Sequence, residues 1–341
     1  MRSRRCSTKP ACRRASDLRN QICQTSRDNG RGRVELSHAI AIVGLGKIAR
    51  DQHLPTLAAS DKLHLAGIVS GHARDEDVPV AATITELKAQ VPDLAAVSLC
   101  TPPMARTPLI EEALGLGLDV MVEKPPAATV SVAERYSGMA RDAGRALYLT
   151  WHSREASAVE PAAQWLAGRS LHRMSIAWKE DVRVWHPGQE WIWEPGIGVF
   201  DPGVNALSIL TRLLPGTELH AATLKYPADR EAPIMADLTM AHGKTAIEAA
   251  FSFDQRGPQT WTMTLETDDG VAELREGGGR LFIDDAEVAV PEGTEYGRLY
   301  ARFADMIGTG AIDADLSPFR LVADAFMLGR HERVGAFRWD D

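Results

Sequence analysis

The sequence predicts a two-domain α/β protein. A doubly wound, parallel-sheet domain is expected over residues 37–153, followed by an α+β domain with an open, mostly antiparallel sheet over residues 154–341. Three observations predict this. Up to Thr150, short apolar runs alternate with helical patterns, as in a parallel sheet flanked by helices. Beyond it, strand patterns follow one another through turn residues such as Asp269-Gly270. The composition steps at the same place, with all eight Trp and all eight Phe at or after Trp151.

The 341 residues suffice for two cores at roughly 150 residues per domain. Residues 1–36 stand apart. The first 33 hold ten Lys/Arg against two Asp/Glu, a net +8, whereas the rest of the chain holds 28 against 44, a net −16. The head has no aromatic residue and no hydrophobic period, so disorder is expected. Its readings are a nucleic-acid-binding arm, an organelle-targeting peptide, or a stretch outside the working protein with the true start at Val34. It lacks the apolar segment of a secretory signal. The acidic body disfavours nucleic acid and suits a small neutral substrate. No run reaches the ~18 uninterrupted apolar residues of a membrane span. Three of the four cysteines (Cys6, Cys12, Cys23) lie in the head, and Cys100 alone cannot make a disulfide within the body. That usage fits a reducing, cytoplasmic setting.

The first body element is Ala39 to Val43, fully apolar and β-branched, as a buried parallel strand requires. Gly44-Leu45-Gly46-Lys47-Ile48-Ala49 follows at once, then a helical pattern up to Pro55. This is G-x-G-x-x-A between a strand and a helix. Gly44 permits the tight turn, Gly46 lets backbone approach a pyrophosphate, and Ala49 allows close helix–strand packing. The helix N-terminus offers N–H groups and positive dipole to the phosphates, beside Lys47 and Ile48. A Walker loop is excluded, since it needs Gly at Ala41 and Ser or Thr at Ile48. A dinucleotide-binding Rossmann domain is therefore expected.

Further strands are predicted at Leu63–Val69, Leu94–Leu99, Leu118–Val122 and Ala146–Thr150, with helices near 84–90, 107–116 and 129–143. Ligands bind outside the carboxyl ends of such strands. Gly44–Ala49, Ser70, Thr101-Pro102-Pro103 and Glu123-Lys124 should then line one crevice. An Asp or Glu ending the second strand favours NAD through the ribose hydroxyls. Here that position is Ser70, followed by His72 and Arg74, which tilts the expectation toward NADP; Asp75-Glu76-Asp77 tilts it back. The cofactor is read as NAD or NADP, with NADP slightly favoured.

In the second half, strands are expected near 172–184, 218–226, 233–241, 244–253, 258–267 and 270–283, with helices at 201–214, 296–308 and 317–331. Alternation puts Met174, Ile176, Trp178, Glu180, Val182, Val184 and His186 on one face. A carboxylate and an imidazole on an apolar face need partners. They read as groups aimed at a hydroxylated substrate, or else a bulge leaves Glu180 in solvent. Trp178, Trp185, Trp191 and Trp193 add an aromatic wall or simply core. Asp201 and Asn205 share a helix face. Asp201 also suits an N-cap with Pro202 at N1, so capping is the competing reading there. Cys100 is isolated and the histidines lack ligand spacing, so no metal is expected. None of the five tyrosines has Lys four residues on, which excludes a Tyr-x-x-x-Lys pair.

Taken together, GLGKIA, CTPP, EKPP and a glycine-rich segment leading into D-x-x-x-N resemble the Gfo/Idh/MocA family of NAD(P)-dependent oxidoreductases. KIARDQHLP, TWHSR, WKEDV, WHPGQ and GVFDPGVNALSI further resemble its subgroup of aldose 1-dehydrogenases acting on D-galactose and L-arabinose. The resemblance implies a nicotinamide cofactor in the crevice, a pyranose over it, and Lys124 beside the reacting hydroxyl. Lys124-Pro125 is often cis in such relatives. Asp201 is implied as the catalytic partner of Lys124. The family's helix motif usually ends in His, which is Asn205 here, as in that subgroup. His152, Glu180 and His186 fall on sugar-contact positions, and Trp261 is a further candidate for the sugar-facing wall. The open sheet is a candidate homodimer face.

Overall fold

The computed structural model describes residues 37–72 and 76–340. The readings placed on residues 1–36, Arg74 and Asp75 lie outside them. Six strands, β1 (His38–Val43), β2 (Leu63–Val69), β3 (Val80–Ala81), β4 (Ala96–Leu99), β5 (Asp119–Val122) and β6 (Leu147–Leu149), pair in parallel in the order β6-β5-β4-β1-β2-β3. The order reverses on either side of β1, which opens a crevice at its carboxyl end. Residues Ala39 to Val43 are all buried, as a strand covered on both faces must be. Helices Ile84–Gln90 and Val130–Ala143 begin at Thr83 and Thr129, whose hydroxyls accept backbone N–H groups of Glu86 and Val132.

The helix after the glycine turn does not stop at Pro55. It runs over residues 47–58, with a wider π turn at Ala49–His53. Proline has no N–H to give and crowds the carbonyl four residues back. The π turn removes that demand, and Pro55 sits at the start of the α-helical segment Leu54–Ala58.

The second sheet contains β7 (Leu171–Lys179), β8 (Glu218–Pro227), β9 (Met235–His242), β10 (Thr245–Ser252), β11 (Thr260–Thr267), β12 (Gly270–Arg275), β13 (Arg280–Ile283) and β14 (Ala286–Val288). Later in the chain come β15 (Ile312–Asp313), which pairs with β6 in the first sheet, and β16 (Arg330–Val334), which pairs with β8. The order is β14-β13-β12-β11-β7-β10-β9-β8-β16; only β7–β10 and β8–β16 are parallel pairs. One face carries Met174, Ile176, Trp178, Leu238, Met240, Ile247, Phe251, Met263 and Leu265, packed under helices Phe200–Leu213 and Ser317–Leu328. The other face is polar, with ion pairs Arg173–Glu248 at 2.6 Å and Lys225–Asp237 at 2.7 Å.

Two predicted strands are interrupted. The run over 172–184 ends at Lys179, because Asp181 accepts the Arg183 N–H and starts a short helix, Val182–Trp185. Alternation holds through Glu180 and Val182 and then fails: Val184 is 70% exposed. The run over 270–283 breaks at Glu276–Gly278, where Gly277 has φ of 71°. The expected boundary at 153/154 is crossed by the C-terminal part of the chain. Helix Glu295–Met306 inserts Tyr296, Leu299, Tyr300 and Phe303 against Ile40, Ile42, Met121 and Tyr148 of the first sheet, and β15 extends that sheet.

Candidate active site

The crevice begins at the glycine turn. Gly44 has φ of 91°, and a Cβ there would meet Thr101 Cγ2 at 2.7 Å, so only glycine lets this turn pack on the loop after β4. A Cβ on Gly46 would meet nothing within 4 Å. Open space at Gly46, the unbonded N–H groups of a first helical turn and a buried Thr101 hydroxyl with no protein partner fit a dinucleotide's phosphates. Lys47 and Ile48 stand at the rim with exposed side chains, Lys47 paired with Asp51. Ser70 closes β2; its Oγ accepts the His72 N–H at 3.2 Å. Glu76 pairs with Arg50 at 2.9 Å. Pro102 is exposed and Pro103 begins a tight turn, Pro103–Ala105.

Behind these loops lies Arg106, 3% exposed. It donates from Nε to the Thr101 carbonyl at 2.9 Å and from Nη1 to the carbonyls of Glu123 and Pro125. One guanidinium thus ties the Thr101 loop to the Glu123–Pro125 loop, where Lys124-Pro125 is cis. Glu123 does not face the crevice. Its carboxylate, 4% exposed, turns beneath the loop to His53, Tyr296 and the Lys124 N–H.

Lys124 Nζ donates to Asp201 Oδ1 at 3.0 Å and to its carbonyl at 3.1 Å. His186 Nε2 meets the other carboxylate oxygen at 3.3 Å. Burial alone would raise Asp201, but Lys124 and His186 outweigh it and hold the carboxyl far below the usual range. The capping reading of Asp201 fails. Helix Phe200–Leu213 starts from Val199 with no side-chain cap, and the carboxylate is engaged by Lys124 and His186 instead. Asn205, one turn on, is half-buried on the same face.

Glu180, 5% exposed, accepts from Trp261 Nε1 at 3.0 Å. The solvated reading of Glu180 therefore fails as well. Burial pushes this carboxyl up to about 7, with the Asp201 charge adding to the effect. Trp261 stacks on Trp178 with centroids 5.9 Å apart and tilts against Trp185 at 5.3 Å. His186 reaches the site from the helix Val182–Trp185 rather than from a continuous strand, with Trp191 edge-on to it at 5.5 Å. His152 Nδ1 bonds Glu295 Oε2 at 2.5 Å and its ring stacks on Tyr296.

Lys124, Asp201, His186, Glu180 and Trp261 therefore form one neighbourhood, with His152 reaching it through Tyr296 and Glu123. His53, Arg106, Glu295, Tyr296 and Tyr300 were not singled out by the sequence. A signal existed for His53: Ala49, His53 and Leu57 recur every four residues, and all three are buried. Among the described residues no group of three or more His, Cys, Asp or Glu is placed to hold a metal ion. No described helix is long and apolar enough to cross a membrane.

Residues 38–150 match the Gfo/Idh/MocA oxidoreductase family, described as having an NAD-binding Rossmann fold. A galactose 1-dehydrogenase of Pseudomonas fluorescens is 39% identical over 304 residues, covering 87% of this chain and 98% of that protein. The crystal structure of a D-galactose-1-dehydrogenase from Rhizobium etli superposes with a TM-score of 0.85 at 44% identity, covering 89% of this chain and 98% of that one. The 3-ketoreductase KijD10 from Actinomadura kijaniata, in complex with NADP and TDP-benzene, shares the fold at a TM-score of 0.74 and 17% identity, over 88% of this chain and all of that one.

Proposed function

This chain belongs to the Gfo/Idh/MocA family of oxidoreductases, and we propose that within it the protein is an aldose 1-dehydrogenase. It oxidises the anomeric carbon of an aldopyranose, D-galactose or L-arabinose, to the aldonolactone. The observation that carries this reading is the Lys124–Asp201 ion pair at the carboxyl edge of the first sheet, with the buried Glu180–Trp261 pair beside it. The likeness to galactose 1-dehydrogenases supports it over most of the chain.

When bound, NAD(P)⁺ would supply the hydride acceptor for C1. The glycine turn and the Thr101 loop would hold its phosphates, and Ser70, in place of a carboxylate, would favour NADP slightly. Lys124 donates to the C1 oxygen and stabilises the charge that develops as its proton leaves. The proton passes into the Lys124–Asp201 pair, either to Asp201 directly or through Lys124. Glu180, His152, His186 and Asn205 bond ring hydroxyls, and Trp261 covers an apolar sugar face. Galactose and arabinose share ring configuration apart from the C6 hydroxymethyl, so one pocket accommodates both.

The test follows absorbance of the reduced nicotinamide with NAD⁺ and NADP⁺ against a panel of aldoses, inositols and cyclic diols. Turnover on galactose and arabinose with lactone as product is expected. Turnover only on a cyclic polyol replaces the substrate. Tight cofactor binding with no turnover makes the protein a sensor and overturns the reading.

A further inference from the structure

Beneath the Lys124–Asp201 pair lies a second carboxylate with its own cation. His53 is 0% exposed, on the inner face of the helix that follows the glycine turn. Its Nε2 meets Glu123 Oε1 at 3.1 Å, and its Nδ1 lies 2.7 Å from Tyr300 Oη and 3.3 Å from Ser98 Oγ. Both ring nitrogens thus have oxygen partners, as an imidazolium requires. Glu123 Oε1 also accepts the Tyr296 hydroxyl at 2.7 Å, and its Oε2 accepts the Lys124 N–H at 2.8 Å. The two pairs share the 123–124 peptide. A buried Glu123 carboxylate without a counter-charge would compete with Asp201 for the neighbouring ammonium.

We propose that His53 is a positioning residue for the reaction proposed above: as an imidazolium it neutralises Glu123, so that the Lys124 ammonium is committed to Asp201 and the substrate. The proposal rests on that functional reading. The other groups facing this buried pair are Tyr296 and Tyr300 from helix Glu295–Met306, Ser98 and Cys100 from the end of β4, Arg106 from the start of helix Arg106–Gly115 and His152 from the short helical turn His152–Glu155. Burial works against a charged His53, but its neighbours outweigh it and hold the imidazole well above its usual value. Burial likewise opposes an ionised Glu123, yet His53 brings that carboxyl down to about 2.

The experiment is the pH profile of kcat/KM for aldose oxidation in wild type, His53→Gln and the double variant His53→Gln with Glu123→Gln. In His53→Gln the unpaired carboxylate favours the protonated form of the site. The acid limb then moves up by about one pH unit, the size a neighbouring charge exerts. The double variant removes that charge and returns the limb to its wild-type position. An unmoved limb in the single variant, or a limb that stays moved in the double, overturns the proposal. If His53→Gln does not fold, ¹⁵N NMR of the wild-type histidines at pH 7 decides. His53, assigned by its displacement in Tyr300→Phe, should show both ring nitrogens protonated, and a neutral ring overturns the proposal. The NMR measurement needs no turnover. A wild type inactive on aldoses would therefore sink the functional reading while leaving His53 to be judged separately.

Discussion

Glu180 and Asp201 are carboxylates of one pocket with opposite surroundings. Asp201 has the Lys124 ammonium and the His186 ring at hydrogen-bond distance and stays ionised. Around Glu180, burial and the charge of Asp201 outweigh the Trp261 N–H and the nearby His186 and Lys124, and the carboxyl titrates near 7. Its folded-state pKa lies above the ordinary glutamate value of 4.5. The folded protein therefore binds that proton more tightly, and this stabilising contribution is lost as pH rises from about 4.5 to about 7. Glu180→Gln should raise the melting temperature more at pH 8 than at pH 5; equal gains at both would show that the carboxyl does not titrate as inferred. Lys124→Ala and Asp201→Ala should each lower kcat by about 10² or more, measured with saturating cofactor. Near-wild-type turnover in both would remove the assignment. Lys124 and Asp201 were legible because each sits in a short motif at an element's end. His53 was not, because its partner Glu123 is 70 residues away in sequence and only the fold brings them together.

Elements were legible where one periodicity held and obscured where a local hydrogen bond cut across it. The buried strands of the first sheet read directly from apolar runs. The Asp181 side chain, by capping Val182–Trp185, ended a strand whose alternation had looked continuous to His186. The glycine turn offers a test at this scale. Gly44 combines a left-handed φ with a 2.7 Å approach to Thr101. Gly44→Ala should therefore add strain of about 1–3 kcal/mol. The turn would have to shift, and the dissociation constant for the dinucleotide should rise by roughly tenfold or more, measured by calorimetric titration. An unchanged constant would mean that the turn tolerates a Cβ. Arg106 offers a second test. Arg106→Met keeps much of the bulk but abandons the carbonyls of Thr101, Glu123 and Pro125. Buried acceptors left unpaired cost about 1–3 kcal/mol each. A lower melting temperature and a raised KM for the cofactor are expected in steady-state assays.

At the scale of the whole chain, the compositional step at Trp151 did mark the passage from one sheet to the other. It could not reveal that the chain returns. Helix Glu295–Met306 covers Ile40, Ile42, Met121 and Tyr148, and its amphipathic pattern says only that one face is buried, not against what. A fragment of residues 37–153 should therefore expose that apolar surface, bind a hydrophobic dye and melt without a cooperative transition. A sharp melt of the fragment alone would contradict this. The same return has a consequence during synthesis. About 145 residues separate the end of β6 from that helix. At ~5–20 residues per second, the ribosome needs about 7–30 s to deliver it. For that interval the nascent first sheet has one face uncovered, which makes it a client for chaperones and gives the last part of the message a direct hold on when the first part can finish folding.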